Sequence, residues 1–321
     1  MKTVLMFEKL AAARRAEFAA RYDNLQFVYG DDPNWPDALA HASAIVGFIP
    51  EPWRDQLKEI PSLELVQLPF AGYEGWEEKV SCPLANASGA FGLAISEYLI
   101  GTILYVYRHM EEIRKRQKQK VWDRNLGDID SIYGKTILIA GCGDVGSTFA
   151  KKAQALGART IGAASRIRPI EGFDEVITID QIDDRLPEAD IFVGALPSNA
   201  ATRHLISTQS FEKMKPDALF INVGRGALVP LSVLEEAIEH KRVRAMILDV
   251  CEIEPLPQDS PLWDNENVLI TPHLSGDCSL PETRRLLWDL IEYNLDALNS
   301  GKPFRNIVNA DRLPESGQTA L

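Results

Sequence analysis

The stretch Thr136-Ile137-Leu138-Ile139-Ala140-Gly141-Cys142-Gly143-Asp144-Val145-Gly146 decides the fold of this chain. Its first five residues read as a buried strand, and the glycines that follow turn the backbone into a helix. That helix carries Val145, Phe149, Ala153 and Leu156, spaced as one apolar face. Alone, a G-x-G-x-x-G run means little, because glycines serve ordinary turns. Between a strand and an amphipathic helix it predicts a dinucleotide cradle. The first glycine allows the tight turn, the second lets the backbone approach a pyrophosphate, and the third permits close helix–sheet packing. The helix amino end then offers unpaired N–H groups to the phosphates.

Strand-like runs recur on both sides of this unit. Downstream lie Thr160–Ala163, Ile191–Ala195, Leu219–Val223, Met246–Val250 and Val268–Ile270. Upstream lie Thr3–Phe7, Gln26–Tyr29, Ala44–Ile49 and Leu65–Leu68, with helical intervals at Glu8–Arg21, Asp37–His41 and Trp53–Ile60. Strands alternating with helices imply parallel βαβ units, so both halves are expected to be doubly wound α/β domains. A helical stretch without proline runs from about Leu93 to Lys120, and its charged latter half, Arg108–Lys120, reads as a solvated face. The last helix, Glu282–Asn299, meets a stop signal at Ser300-Gly301-Lys302-Pro303. The polar tail after Arg312 is expected to fray. No repeat or low-complexity segment is visible.

A chain of 321 residues has room for two ordinary cores, and its 45% hydrophobic and 25% charged content suits a soluble globular protein. The net charge of −12 argues against general affinity for nucleic acid or anionic membrane, which need a positive field. A small anionic substrate needs only a local cation. Cys82, Cys142, Cys251 and Cys278 form no C-x-x-C pair and no metal-ligand spacing. Isolated thiols suit a reducing cytoplasm, and no metal is expected. The start, Met1 to Glu8, is too short in apolar residues for a signal-peptide core and reads as a first strand. The apolar stretch Leu93–Tyr107 contains Ser96 and Glu97 and reads as a buried helix, not a membrane span.

In open parallel sheets ligands bind outside the carboxyl ends of the strands. Three polar residues stand just past predicted strands: Arg225, Glu254 and His273. A lone His after a strand is usually a plain loop residue, and Glu254 alone reads as solvated. Arg225 is less ordinary, because Gly224 and Gly226 leave its backbone free to approach a ligand. Beside a dinucleotide cradle, the three are the equipment of a hydride-transferring enzyme. NAD-binding versions of the cradle carry an acid about 20 residues on, for the ribose 2′-hydroxyl. Here Lys151 to Ile170 contains no acid, and the second strand ends in Ala164-Ser165-Arg166-Ile167-Arg168. Nothing repels a 2′-phosphate, and Arg166 can pair with it. NADP(H) is therefore the expected cofactor, with NAD(H) possible.

These segments together resemble the D-isomer-specific 2-hydroxyacid dehydrogenase family. The motifs are the Gly141–Gly146 loop, Ile221-Asn222-Val223-Gly224-Arg225-Gly226, Asp249-Val250 through Glu254-Pro255-Leu256, and Thr271-Pro272-His273-Leu274-Ser275-Gly276. Ser165-Arg166 without an acid looks most like the glyoxylate/hydroxypyruvate reductase branch. The resemblance implies a Rossmann cofactor domain at 98–282 and a flavodoxin-like substrate domain from 1–97 and 283–321. It also implies an active site in the cleft between them and a homodimer built on the cofactor domain. By that resemblance His273 is the general acid that protonates the substrate carbonyl, and Glu254 holds the imidazole and favours its charged form. Arg225 would bind the substrate carboxylate with its planar donor fork. Ala71, Gly72 and Tyr73 would bind substrate through backbone N–H groups. Asp249 matches a position that contacts the nicotinamide carboxamide. Leu196, Pro197 and Val223 join Gly141, Gly143, Asp144, Val145, Gly146, Ser165 and Arg166 as cofactor residues.

This chain departs from the family in places. The substrate loop usually reads closer to Gly-Ala-Gly-Val-Asp, whereas here it is Pro69-Phe70-Ala71-Gly72-Tyr73-Glu74. Phe70 and Tyr73 are bulky there, which allows a 2-oxo acid other than glyoxylate. Pro230 replaces a common Asp and reads as a helix-start variation; Cys142 and Cys251 read as packing residues. His41, His109, His204 and His240 have no comparable setting, and Trp53, Trp76, Trp122 and Trp263 read as packing or interface residues. The expected activity is NADPH-dependent reduction of a small 2-oxo acid to the D-2-hydroxy acid. One alternative, NAD-linked oxidation of a substrate such as 3-phosphoglycerate, would want the missing ribose acid, and no regulatory domain is expected after residue 321. Another, a nucleotide-sensing corepressor-like protein, would want long disordered extensions that this chain lacks.

Overall fold

Short apolar runs become parallel strands wherever both of their faces can be covered, and that condition shapes the whole chain. The computed structural model describes residues 1–312, so the tail after Arg312 lies outside the described residues. Two units are present: Met1–Ala90 with the segment from Pro281 on, and Phe91–Leu280.

The first unit holds β1 (Lys2–Met6), β2 (Leu25–Tyr29), β3 (Ala42–Val46), β4 (Leu65–Gln67) and β5 (Leu84–Ala85). Their order is β2-β1-β3-β4-β5, the flavodoxin-like arrangement, and every pair is parallel. All five residues of the central β3 are buried. The helix Pro281–Ser300 returns to this unit, where Trp288 meets Phe18 edge-on at 6.0 Å. It is also tied to β4 through a buried amide pair, Asn294 Nδ2 donating to Gln67 Oε1 at 2.6 Å.

The second unit holds β6 (Thr136–Ala140), β7 (Arg159–Ala164), β8 (Glu175–Thr178), β9 (Ile191–Gly194), β10 (Leu219–Asn222), β11 (Ala245–Leu248) and β12 (Val268–Ile270). The order β12-β11-β10-β9-β6-β7-β8 reverses direction between β6 and β9, the switch point at which a Rossmann sheet binds its dinucleotide. Every residue of β9, β10 and β11 is buried. These strands therefore deliver the loops at their ends from fixed positions.

Several expectations need correction. The Leu93–Lys120 stretch is two helices, Gly92–Tyr107 and Met110–Lys118, because His109 takes a left-handed conformation at φ 51°. Its ring is captured by the Asp128 carbonyl, Nε2 to O 2.9 Å, a partner 19 residues away that no local pattern announces. The first of these helices is not buried all round: Ile95, Leu99, Ile103 and Tyr107 form its buried stripe, while Leu104 is exposed. On the helix after the glycines, the buried stripe is Gly146, Phe149, Ala150 and Ala153, which leaves Leu156 exposed. Close packing through small residues rotates that face away from the expected one. Two strands were not anticipated. β5 has only two residues, and β8 is a half-exposed edge strand whose Glu175 pairs with Arg159 and Arg185. Among the described residues no helix is long and apolar enough to cross a membrane.

Candidate active site

The dinucleotide loop is built by backbone contact. A side chain at Gly146 would put its Cβ 1.8 Å from the Gly141 carbonyl oxygen, so the helix can start this close to the strand only with glycine. A Cβ at Gly143 would meet nothing within 4 Å, which leaves an open cradle above the turn. No side chain caps the helix Asp144–Ala155 at its N-terminal end, the end whose dipole favours an anion. Asp144 points elsewhere: its Oδ2 accepts the Gly92 N–H at 2.8 Å, anchoring the start of the Gly92–Tyr107 helix. The loop thus fits a dinucleotide pyrophosphate.

At the neighbouring strand end, Ser165, Arg166 and Arg168 are exposed just past β7. No ion pair engages Arg166 or Arg168 among the described residues. Arg168 is close enough to act electrostatically on Cys142, whose thiol burial pushes up to about 11 against the opposing influence of that charge. Leu196 is buried beyond β9, and Val223 continues the ladder past β10 by donating to the Gly194 carbonyl at 3.0 Å.

Arg225, Glu254 and His273 follow β10, β11 and β12, which are adjacent in the sheet. Neighbouring strands lie about 4.8 Å apart, so the three carboxyl ends span roughly 10 Å. Direct contacts close that span. A Cβ at Gly226 would lie 1.9 Å from the Cys251 carbonyl oxygen, so the Arg225 turn rests on the loop after β11. Glu254 Oε1 accepts the Cys251 N–H at 3.2 Å, and Glu254 Oε2 meets His273 Nδ1 at 2.9 Å. The expected reason for the glycines around Arg225 is therefore corrected. Gly226 presses against Cys251 and Gly224 against Leu196, so both admit protein backbone and neither is spare room for a ligand.

His273 is held in the left-handed region at φ 51°, an uncommon conformation for a residue with a side chain. Asp249 over-determines it. Its carbonyl accepts the His273 N–H at 2.9 Å, and its carboxylate accepts from Thr271 Oγ1 (2.6 Å), Leu274 N (3.0 Å), Ser275 N (3.1 Å) and the Ser275 hydroxyl. Tyr98 reaches Thr271 Oγ1 at 2.7 Å, extending this network to the Gly92–Tyr107 helix. Asp249 is 2% exposed, so a nicotinamide carboxamide would have to share oxygens with donors already in place. With Nδ1 on Glu254, the imidazole keeps Nε2 without a partner among the described residues, and the ring is half exposed. The arrangement orients one ring nitrogen with a carboxylate and presents the other for proton transfer.

Thr271, Ser275 and Tyr98 escaped the sequence reading as members of this network. For the first two the available signal was their place on either side of His273. In the first unit, the loop Ala71–Tyr73 follows β4, where Asn86 Nδ2 donates to the Ala71 carbonyl at 2.7 Å and Ala87 N–H to that of Phe70 at 3.0 Å. Of the other histidines, His204 meets Glu252, and that carboxylate also accepts the Leu231 N–H at 3.0 Å, capping the helix that begins after Pro230. Trp76 is buried, whereas Trp122 is 97% exposed. Among the described residues no cluster of His, Cys, Asp or Glu could hold a metal ion.

Residues 100–275 match the family described as D-isomer specific 2-hydroxyacid dehydrogenase, NAD binding domain. The chain belongs to that family. It is accordingly an NAD(P)-dependent enzyme acting between 2-hydroxy and 2-oxo acids. A relative named glyoxylate/hydroxypyruvate reductase B, from Enterobacter sp. (strain 638), is 30% identical over 283 residues, covering 85% of this chain and 86% of its own length. Among solved structures, a D-isomer specific 2-hydroxyacid dehydrogenase family protein from Aeromonas salmonicida subsp. salmonicida A449 superimposes with a TM-score of 0.82 at 30% identity, covering 96% and 98% of the two chains. An NADPH-dependent glyoxylate/hydroxypyruvate reductase from Sinorhizobium meliloti, in complex with NADP and sulfate, does so with a TM-score of 0.81 at 25% identity and the same coverage.

Proposed function

We propose that this dehydrogenase reduces a small 2-oxo carboxylic acid of the glyoxylate/hydroxypyruvate type with NADPH, giving the D-2-hydroxy acid where the product is chiral. The observation that carries the reading is the His273–Glu254 pair at 2.9 Å on a sheet edge that also bears Arg225. A bound reduced nicotinamide supplies the hydride. Arg225 then holds the substrate carboxylate, and His273 delivers its Nε2 proton to the carbonyl oxygen as charge develops there. Glu254 keeps the imidazole in the tautomer and orientation that this transfer needs. The names of the Enterobacter and Sinorhizobium relatives support this substrate class. Following NADPH consumption with glyoxylate, hydroxypyruvate, pyruvate and phenylpyruvate tests it. Tight nucleotide binding without turnover of any 2-oxo acid would favour a nucleotide sensor instead.

Preference for NADP(H) is supported by the missing ribose acid and by the exposed Arg166 past β7, which no ion pair engages among the described residues. Arg166→Ala is expected to raise KM for NADPH by about tenfold, the loss of one charge-assisted contact, with little change for NADH. Equal Michaelis constants for the two cofactors in the parent enzyme would remove the preference.

The active form in this reading is a homodimer. Leu104, Met110, Val121, Trp122, Ile129 and Tyr133 are all exposed, a concentration of large apolar side chains within one segment of the second unit. A cavity of about 660 Å³ in the same unit, lined by Tyr105, His109, Trp263 and the outer edge of β12, offers further surface for a second copy. Trp122→Glu should shift sedimentation from dimer to monomer. A monomeric parent protein at micromolar concentration would exclude the assembly.

A further inference from the structure

We infer that Asn222 is a positioning residue for substrate binding: its side-chain amide aims Arg225. The inference rests on the proposed role of Arg225. Asn222 is the last residue of β10, between β9 and β11, and is 1% exposed. The ladder ends one residue later, at the bond from Val223 N–H to the Gly194 carbonyl. Beyond that point the chain must bend toward Arg225 while its polar backbone groups remain buried. The Asn222 amide satisfies two of them. Its Oδ1 accepts the Gly224 N–H at 3.2 Å, and its Nδ2 donates to the Arg225 carbonyl at 3.0 Å.

The task admits few other side chains. It needs a donor and an acceptor two bonds from Cβ, so that one planar group spans the turn. Asp keeps the acceptor and loses the donor, setting an anionic oxygen against the Arg225 carbonyl. Ser is too short to reach both groups, and Gln places them one carbon too far. Room for the amide comes from the neighbouring strand. Gly194 pairs with Asn222 in register, and a Cβ there would stand 3.1 Å from Asn222 Oδ1 and 2.4 Å from Leu228. On the far side of the arginine, Gly226 rests on Cys251. The Arg225 backbone is therefore fixed from both flanks, and its Nη1 donates to the Gly224 carbonyl at 2.8 Å, inside the same turn. A guanidinium fork engages a carboxylate through two parallel bonds only when it is held in plane. Loosening the turn costs that alignment without removing the charge.

A double-mutant cycle tests this in the full-length NADPH-loaded enzyme. The variants are Asn222→Ala, Arg225→Ala and the pair, with Asn222→Asp as a second probe should the alanine variant fold poorly. The readouts are KM and kcat for hydroxypyruvate, the Kd of oxalate as an unreactive mimic, the Kd of NADPH and the melting temperature. Asn222→Ala should weaken oxalate binding and raise KM by about tenfold, within the range of coupling for residues sharing one hydrogen-bonded turn. NADPH affinity should stay within about twofold. In the Arg225→Ala background the same change should do almost nothing to oxalate or KM, because no guanidinium is left to aim. Equal losses in both backgrounds would make Asn222 a general support of the fold and overturn the inference. A neutral Asn222→Ala beside a damaging Arg225→Ala would overturn it alone. A neutral Arg225→Ala would instead remove the role given to Arg225, and the inference with it.

Discussion

Replacing His273 by Gln is expected to slow 2-oxo acid reduction by about 10²-fold or more while NADPH binding changes by less than about twofold. The magnitude follows from what the imidazole alone supplies. A glutamine amide can donate to Glu254, as Nδ1 does across 2.9 Å. It cannot release a proton to a developing alkoxide, and losing general acid catalysis typically costs 10²–10⁴-fold, about 3–5 kcal/mol in barrier. The surrounding loop should survive the change. It is held by Asp249 through Thr271, Leu274 and Ser275 and through the backbone N–H at 273, none of which uses the imidazole. The cofactor loop after β6 contains no part of that network. Steady-state kinetics and a nucleotide-binding titration check this; a variant within tenfold of the parent rate would strip His273 of its role.

Arg225→Lys should lower kcat/KM for the 2-oxo acid by roughly 10–10²-fold, again with NADPH affinity retained. Charge is conserved in this substitution, so the effect isolates geometry. Lysine is a point charge on a flexible stem and offers no planar fork, so one of two charge-assisted bonds to the carboxylate is lost. The Arg225 backbone sits in a turn braced by Asn222, Gly224 and Gly226, so a wandering ammonium gains nothing from that preorganisation. Pre-steady-state measurement of substrate binding and turnover would separate the two steps. Unchanged efficiency toward every 2-oxo acid in the panel would refute the assignment.

The legibility of this protein in its sequence was uneven, for physical reasons. Strands β9, β10 and β11 are buried on both faces, so each reads as a short, mostly apolar run, and the apolar β12 continues the pattern beside them. Polar residues immediately past such ends had to stand at the carboxyl edge, which is how Arg225, Glu254 and His273 came into view before any coordinates. Edge strand β8 was invisible because it is half exposed and its one charged residue, Glu175, pairs with arginines outside the strand. The break at His109 was missed because its partner, the Asp128 carbonyl, is remote in sequence.

Order of residues alone determined the parallel α/β architecture, the glycine cradle and the absence of an acid after the second strand of the cofactor sheet. These depend on hydrophobic period and on local backbone needs, which the chain carries wherever it is read. Tertiary structure alone decided which small and polar residues support the edge that carries Arg225, Glu254 and His273: Gly226 on Cys251, Asp249 under the His273 loop, and Asn222 across the Arg225 turn. Each of those contacts joins a strand end to a neighbouring loop or to its own turn. Such distances come into being only when the sheet has formed.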